Sequence, residues 1–181
     1  MGLSPGKPAP EAPAVVLRRS TAADVDYIYA TWLRSYLQHG ATLGWARGGG
    51  PAAKARYFRG QQALIARLLA HREHPAGRLA QVVVAGLPDD ETTILGWAVW
   101  SPRPLDESAQ TVLHYVYTRQ ALRRSGIART LLRAIQPAEY THLCTSPRGE
   151  RGRGSEWSDW LLEWIRREWP LLAYNPYAVN S

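Results

Sequence analysis

Apolar residues recur at two different periods along this 181-residue chain, and each change of period marks an element boundary. Residues 15–19, "VVLRR", read as a short strand. Thr21 with Asp24 three positions on is a capping-box arrangement that opens a helix. Val25, Ile28, Trp32 and Tyr36, with Tyr29 and Leu33 beside them, recur at helical spacing and predict that helix as far as about Gly40. A glycine-rich loop, "GATLGWARGGG", leads to Pro51, a favoured first helical residue. Tyr57, Phe58, Leu64, Ile65, Leu68 and Leu69 then mark a second amphipathic helix, ending near "HREHPAG". The runs "LAQVVVAG" and "TTILGWAVWS" are β-rich and flank "LPDDE", which has the composition of a hairpin loop; "QTVLHYVYT" is a third strand. A helix follows from about Gly126, then a short strand around "THLCTS", a basic loop "PRGERGRG", a tryptophan-rich helix and an extended tail "LLAYNPYAV". The order β-α-α-β-β-β-α-β-α-β predicts an α/β (α+β) fold, a mixed sheet with helices on both faces.

Composition narrows this picture in three ways. The first 14 residues hold four prolines and no apolar segment, so they read as a flexible Pro/Ala-rich tail and not as a secretory signal, with residues 15–181 as one domain. No apolar run approaches the roughly 18 residues of a membrane span, so no membrane partner is expected. One cysteine, Cys144, excludes an intrachain disulfide and a multi-cysteine metal centre and fits a cytoplasmic, reducing compartment, where it serves as a small apolar side chain. His71 and His74 in "HREH" have no third ligand nearby in sequence, so no metal is expected. The net charge of +7 implies an anionic partner, either a phosphate-bearing cofactor or nucleic acid.

The stretch "RRSGIARTLL" favours the cofactor. A strand that runs into a helix through "RQALRRSGIA" aims the unpaired N–H groups of the first helical turn beyond the strand end, where anions bind. Gly126 has no side chain to obstruct a ligand, and Ala128 is nearly as small. Five arginines (119, 123, 124, 129 and 133) fall in this region with no acidic residue among them. Cations near a helix N-terminus oppose its dipole, and a bound pyrophosphate would offset that conflict.

These residues carry a resemblance. Thr118-x-Gln120-x-x-Arg123-x-x-Gly126-Ile127-Ala128, followed by Leu131 and Leu132, resembles the acetyl-CoA signature of the GNAT superfamily of N-acetyltransferases, Gln/Arg-x-x-Gly-x-Gly/Ala, and is similar to its small uncharacterised phage and bacterial members. The resemblance implies that Arg123, Arg124, Ser125, Gly126, Ile127, Ala128 and Arg129 cradle the pyrophosphate of coenzyme A. It implies that the strand at Val116, Tyr117 and Thr118 hydrogen-bonds the pantetheine arm, and that a backbone N–H near Val116 polarises the thioester carbonyl. The family usually has an apolar residue and a proline where this chain has Thr118 and Gln120. Many members also have an Asn and a helix with a catalytic tyrosine after the position of Cys144; "TSPRGERGRGSEWSDWLL" has neither, so the general acid does not transfer by position.

The implied activity is acetyl-CoA-dependent transfer of an acetyl group to a primary amine, directly within a ternary complex. An aliphatic amine with a pKa near 10.4 must lose a proton before it attacks. His114 is the candidate base: it lies two residues before Val116, by alternation on one face with Val112, Val116 and Thr118, and serotonin N-acetyltransferase, a family member, has a histidine at the equivalent strand position on its proton path. The competing reading is a buried histidine hydrogen-bonded within the sheet, and a β-bulge would break the alternation. Tyr174, with Tyr177, is the candidate acid, because a late strand passes near the thioester sulfur in that fold; locking the tail onto the core is its competing role. Tyr115 and Tyr117 project to the other face as packing residues. Trp157, Trp160 and Trp164, with Leu161 and Ile165, form a core stripe, and Trp32 and Tyr36 pack inward. Nothing adjacent would activate Cys144 as a nucleophile. The acceptor is a small-molecule or peptide amine. Two alternatives stand beside this reading: a phage-type enzyme modifying nucleic-acid bases, supported by the basic loop, and a non-catalytic module that binds coenzyme A or nucleic acid.

Overall fold

A computed structural model describes residues 14–39, 50–70, 80–102, 111–141, 167–168 and 173–174. Strand β1 (Val16–Arg19) leads through a 3₁₀ turn (Ala22–Asp24) into α1 (Val25–His39). The Asp24 carboxylate accepts from the Thr21 N–H at 2.7 Å, the arm of the capping box that the sequence predicted, and the turn tightens before the α-helix begins. Asp24 also takes two hydrogen bonds from Arg18, at 2.7 and 2.9 Å, and this paired guanidinium holds its carboxyl below the usual range. Sequence periodicity gave no sign of that pair, which ties the start of α1 to the edge strand.

Helix α2 (Gly50–Ala70) buries Ile65, Leu68 and Leu69, the face its periodicity predicted. Strands β2 (Gln81–Leu87) and β3 (Asp90–Pro102) form a hairpin closed by Pro88 and Asp89, and β4 (Thr111–Thr118) returns antiparallel to β3. Helix α3 (Ile127–Ile135) crosses back to β5 (Glu139–Tyr140), which lies parallel to β4, and β6 (Ala173–Tyr174) lies parallel to β5. The described strands form one six-stranded mixed sheet in the order β1-β2-β3-β4-β5-β6. The fifth expected strand begins earlier than "THLCTS", since β5 occupies residues 139–140, and residues 142–146 lie outside the described residues.

Each sheet face has its own core. On one, Ile28 and Trp32 of α1 and Ile65, Leu68 and Leu69 of α2 meet Val82, Val84, Trp97, Val99 and Tyr115. On the other, Ile127, Leu131, Leu132 and Ile135 of α3 meet Ala85, Leu95, Ala98 and Leu113. Trp97 stacks on Tyr115 and Tyr117 at 5.4 and 5.5 Å between ring centroids, and Trp32 tilts against it at 5.4 Å. Tyr115 and Tyr117 thus have the packing role expected of them. Expectations for residues 1–13, His71, His74, Cys144, the basic loop, the tryptophan stripe and Tyr177 lie outside the described residues, as does the side chain of Tyr36.

Candidate acyl-donor site at the β4–α3 junction

Between β4 and α3 the backbone is shaped by two left-handed residues. Arg124 has φ +77° and Gly126 φ +89°, with a 3₁₀ turn (Gln120–Leu122) just before them. The loop is braced from within: the Ser125 N–H and hydroxyl both reach the Leu122 carbonyl, at 3.2 and 2.7 Å. Ser125, expected in the phosphate cradle, therefore directs its buried side chain back into the loop. Gly126 is the N-cap of α3, and the first intrahelical bond runs from the Thr130 N–H to the Gly126 carbonyl at 3.0 Å. Helix geometry leaves the N–H groups of Gly126, Ile127 and Ala128 without intrahelical acceptors. A Cβ added at Gly126 would meet no atom of the described residues within 4 Å. Left-handed turns of this kind gather N–H groups into an anion-binding concavity, and the helix dipole adds to it.

Ile127 is 1% exposed and packs into the α3 core, so it contributes backbone to the junction while its side chain anchors the helix. The arginines divide. Arg119 donates from Nε to the Tyr27 hydroxyl at 3.1 Å with its guanidinium over that ring, and Arg133 pairs with Glu168 at 3.1 Å. Arg123, Arg124 and Arg129 are exposed around the helix start.

Among the described residues β5 meets β4 only at Val112 and Leu113, and the Thr141 N–H donates to the Leu113 carbonyl at 3.0 Å. Past Leu113, β4 has no neighbouring strand on that side among the described residues. Val116 packs toward α3, Tyr117 toward α1, and the Thr118 hydroxyl is buried without a hydrogen-bond partner among the described residues. An orphaned buried hydroxyl costs about 1–3 kcal/mol, a penalty that a ligand acceptor would relieve.

Gly96, which sequence reasoning passed over, sets how close α3 comes. A Cβ there would lie 2.7 Å from the Tyr117 carbonyl oxygen and 2.8 Å from Ile127 Cγ2. An isolated glycine inside a strand pattern was the available signal for that close approach.

The expectation that His114 shares a face with Val116 is corrected by the structure. Val99 pairs with Tyr115 but Trp100 pairs with Leu113, so His114 is the extra residue of a β-bulge and alternation fails there. Leu113 and Val116 consequently lie on the α3 side although they are three positions apart. His114 is 4% exposed; its Nε2 lies 2.8 Å from Ser101 Oγ and its Nδ1 3.4 Å from Thr141 Oγ1. Burial, with the charge of Arg67 adding to it, pushes the imidazole down to about 4. The competing reading, a histidine hydrogen-bonded within the sheet, describes its contacts. Tyr174 lies on β6 in register with Tyr140, one strand beyond β5.

The depressed imidazole has a consequence for stability. Unfolding returns His114 to its ordinary value near 6.5, so the unfolded chain binds the extra proton and stability falls as pH drops from about 6.5 to about 4. The expected loss is roughly 3 kcal/mol across that window, read as a falling urea midpoint. His114→Gln should flatten this part of the profile, and an unchanged slope in that variant would contradict the assignment.

Among the described residues no group of three or more His, Cys, Asp or Glu side chains could hold a metal ion, and no helix is long and apolar enough to cross a membrane. No protein-family model and no curated protein matches the sequence. Solved structures do match. One is an acetyltransferase of the GNAT family from Desulfovibrio desulfuricans, 21% identical, covering 67% of this chain and 63% of that one with a TM-score of 0.41. The chain therefore spans less than two thirds of that protein. Another is the ribosomal-protein-alanine N-acetyltransferase of Brucella melitensis, 16% identical over 90% of this chain and 80% of that one, TM-score 0.39. A third is the PaiA N-acetyltransferase of Thermoplasma acidophilum, in complex with coenzyme A, 12% identical over 68% of this chain and 70% of that one, TM-score 0.43. What this chain is similar to, in all three, is an acetyltransferase.

Proposed function

We propose that this protein is an acetyl-CoA-dependent N-acetyltransferase that passes the acetyl group to a primary amine directly, in a ternary complex. The observation that carries the reading is the β4–α3 junction, where the start of α3, N-capped by a left-handed Gly126, adjoins a stretch of β4 that no other strand occupies among the described residues. Gly126, Ile127 and Ala128 supply backbone N–H groups for the pyrophosphate, and Arg123, Arg124 and Arg129 supply its counter-charge. The edge of β4 at Val116, Tyr117 and Thr118, which no strand covers among the described residues, receives the amide-bearing pantetheine arm, and the Thr118 hydroxyl gains a partner there. Bound acetyl-CoA supplies an activated acyl group with a thiolate leaving group. A backbone N–H near Val116 stabilises the charge that develops on the carbonyl oxygen. His114, neutral across the physiological range, is placed on the proton path, and Tyr174 is the proposed acid for the departing thiolate. The acceptor is a small-molecule or peptide amine.

Calorimetric titration of acetyl-CoA at two salt concentrations tests this reading. Saturable one-to-one binding in the micromolar range with modest salt dependence is expected. A folded protein that does not bind acetyl-CoA would overturn it, and steeply salt-dependent binding of nucleic acid instead would favour a polyanion-binding module.

A further inference from the structure

Helix α2 has a face that the acyl-donor reading leaves unused. The helix holds Lys54, Arg56, Arg59 and Arg67 and no Asp or Glu. An α-helix turns about 100° per residue, so Arg56, Arg59 and Arg67 fall within an arc of about 80°. That arc lies opposite the inner face, where Phe58, Ile65, Leu68 and Leu69 join the core shared with α1 and the sheet. All three arginines are exposed, and so are Ala52, Ala63 and Ala70, which share their arc. Local stability does not account for this pattern. Arg56 and Arg59 stand one turn apart as like charges that repel, and neither makes an ion pair among the described residues. Solvated helices ordinarily interleave both signs along such a face, and a helix without a single carboxylate leaves the neutralising charge to a partner.

We propose that the outer face of α2 docks an acidic helical segment of a partner protein, its carboxylates paired with Arg56, Arg59 and Arg67. Charge complementarity calls for an anionic partner, and the shape of the face selects a peptide. Single-stranded nucleic acid is held by stacking its bases on aromatic rings. The two aromatic residues of α2 are half-buried, with Tyr57 edge-on to Phe58 at 5.5 Å and Phe58 packed on the core, so neither offers a ring on the arginine arc. The alanines between the arginines have no bulk to hold a second helix away. Carboxylates three positions apart on that helix match the spacing of Arg56 and Arg59, and each guanidinium fork takes a carboxylate through two parallel N–H donors. Helix α2 contributes no residue to the β4–α3 junction, so this docking face stands whether or not the chain transfers acetyl groups.

Fluorescence anisotropy with the full chain tests the proposal, using three labelled probes: a helical Glu/Ala peptide with Glu at i, i+3 and i+7, its Lys/Ala counterpart, and an oligothymidylate of similar length. The Glu/Ala peptide is expected to bind saturably, one to one, with a Kd of about 1–100 μM at low salt, and the Lys/Ala peptide not at all. Arg56→Glu combined with Arg59→Glu should weaken binding at least tenfold at unchanged Tm, because both side chains are exposed. Arg56→Gln with Arg59→Gln, which removes the charges without reversing them, should weaken it at least threefold. Arg19→Glu, on the exposed end of β1, alters net charge as much as Arg59→Glu does and serves as the control. It should shift Kd less than twofold where Arg59→Glu shifts it threefold or more. Equal effects from those two variants would reduce the attraction to overall charge and overturn the proposal, as would a wild-type Kd weaker than about 1 mM. Oligothymidylate binding tighter than the Glu/Ala peptide and lost in the same double variants would give the face to nucleic acid, and would likewise overturn it.

Discussion

Gly126→Glu is expected to leave the protein folded and to weaken acetyl-CoA binding by about a hundredfold or more, some 2.7 kcal/mol. The two halves of that outcome have separate causes. At φ +89° any side chain is strained, at a cost of about 1–2 kcal/mol, but a Cβ there touches nothing within 4 Å, so no packing is lost. Arg124 already adopts φ +77° two residues earlier, which shows that the loop accommodates such a residue. The new carboxylate, in contrast, would stand before the unpaired N–H groups of Gly126, Ile127 and Ala128 and occupy the volume assigned to the pyrophosphate. Gly126→Ala carries the same strain without the charge, so comparing the two by calorimetry and thermal melts separates strain from electrostatics. Wild-type affinity in Gly126→Glu would remove the junction from consideration as the phosphate site.

Gly96→Val should act through packing. Its added Cβ would press on backbone at the Tyr117 carbonyl, which has no room to move within the sheet, and on Ile127, the first residue of α3. Overpacking of this kind costs about 1–3 kcal/mol, and in a chain of this size it should lower Tm by roughly 2–12 °C. Relief requires α3 to tilt away from β3, which carries the helix start off the end of β4. Acetyl-CoA affinity should therefore fall in the folded variant although residue 96 lies outside the anion concavity. A melting temperature equal to wild type would mean that α3 is not held as closely as the structure has it.

The strand-to-helix turn proposed as the anion site was legible in the sequence because it is built from local geometry. A glycine at a strand-to-helix turn, small neighbours and clustered arginines are all readable within a dozen residues, and α1, α2 and β2 to β4 were readable from periodicity for the same reason. What escaped depends on contacts between distant segments. The bulge at His114 exists because β3 and β4 slip by one residue between Val99 and Trp100, and no pattern within β4 announces it. The Arg18–Asp24 pair forms because β1 lies beside the turn into α1, and Ser101 meets His114 only across a strand pair. Ser125 was expected in the phosphate cradle by position, and its hydroxyl donates to the nearby Leu122 carbonyl.

The short β4–β5 pairing has a further consequence for the protein in solution. Among the described residues no strand neighbours β4 past Leu113, and a strand edge lined by β-prone residues such as Val116, Tyr117 and Thr118, where it is unpaired, is a template for pairing with a strand of another molecule. The bulge twists this edge, and the arginines beyond Thr118 keep like-charged copies apart. A ligand that runs along β4 would cover the same backbone groups. Occupancy of the proposed site and resistance to aggregation would in this way depend on the same backbone groups of β4.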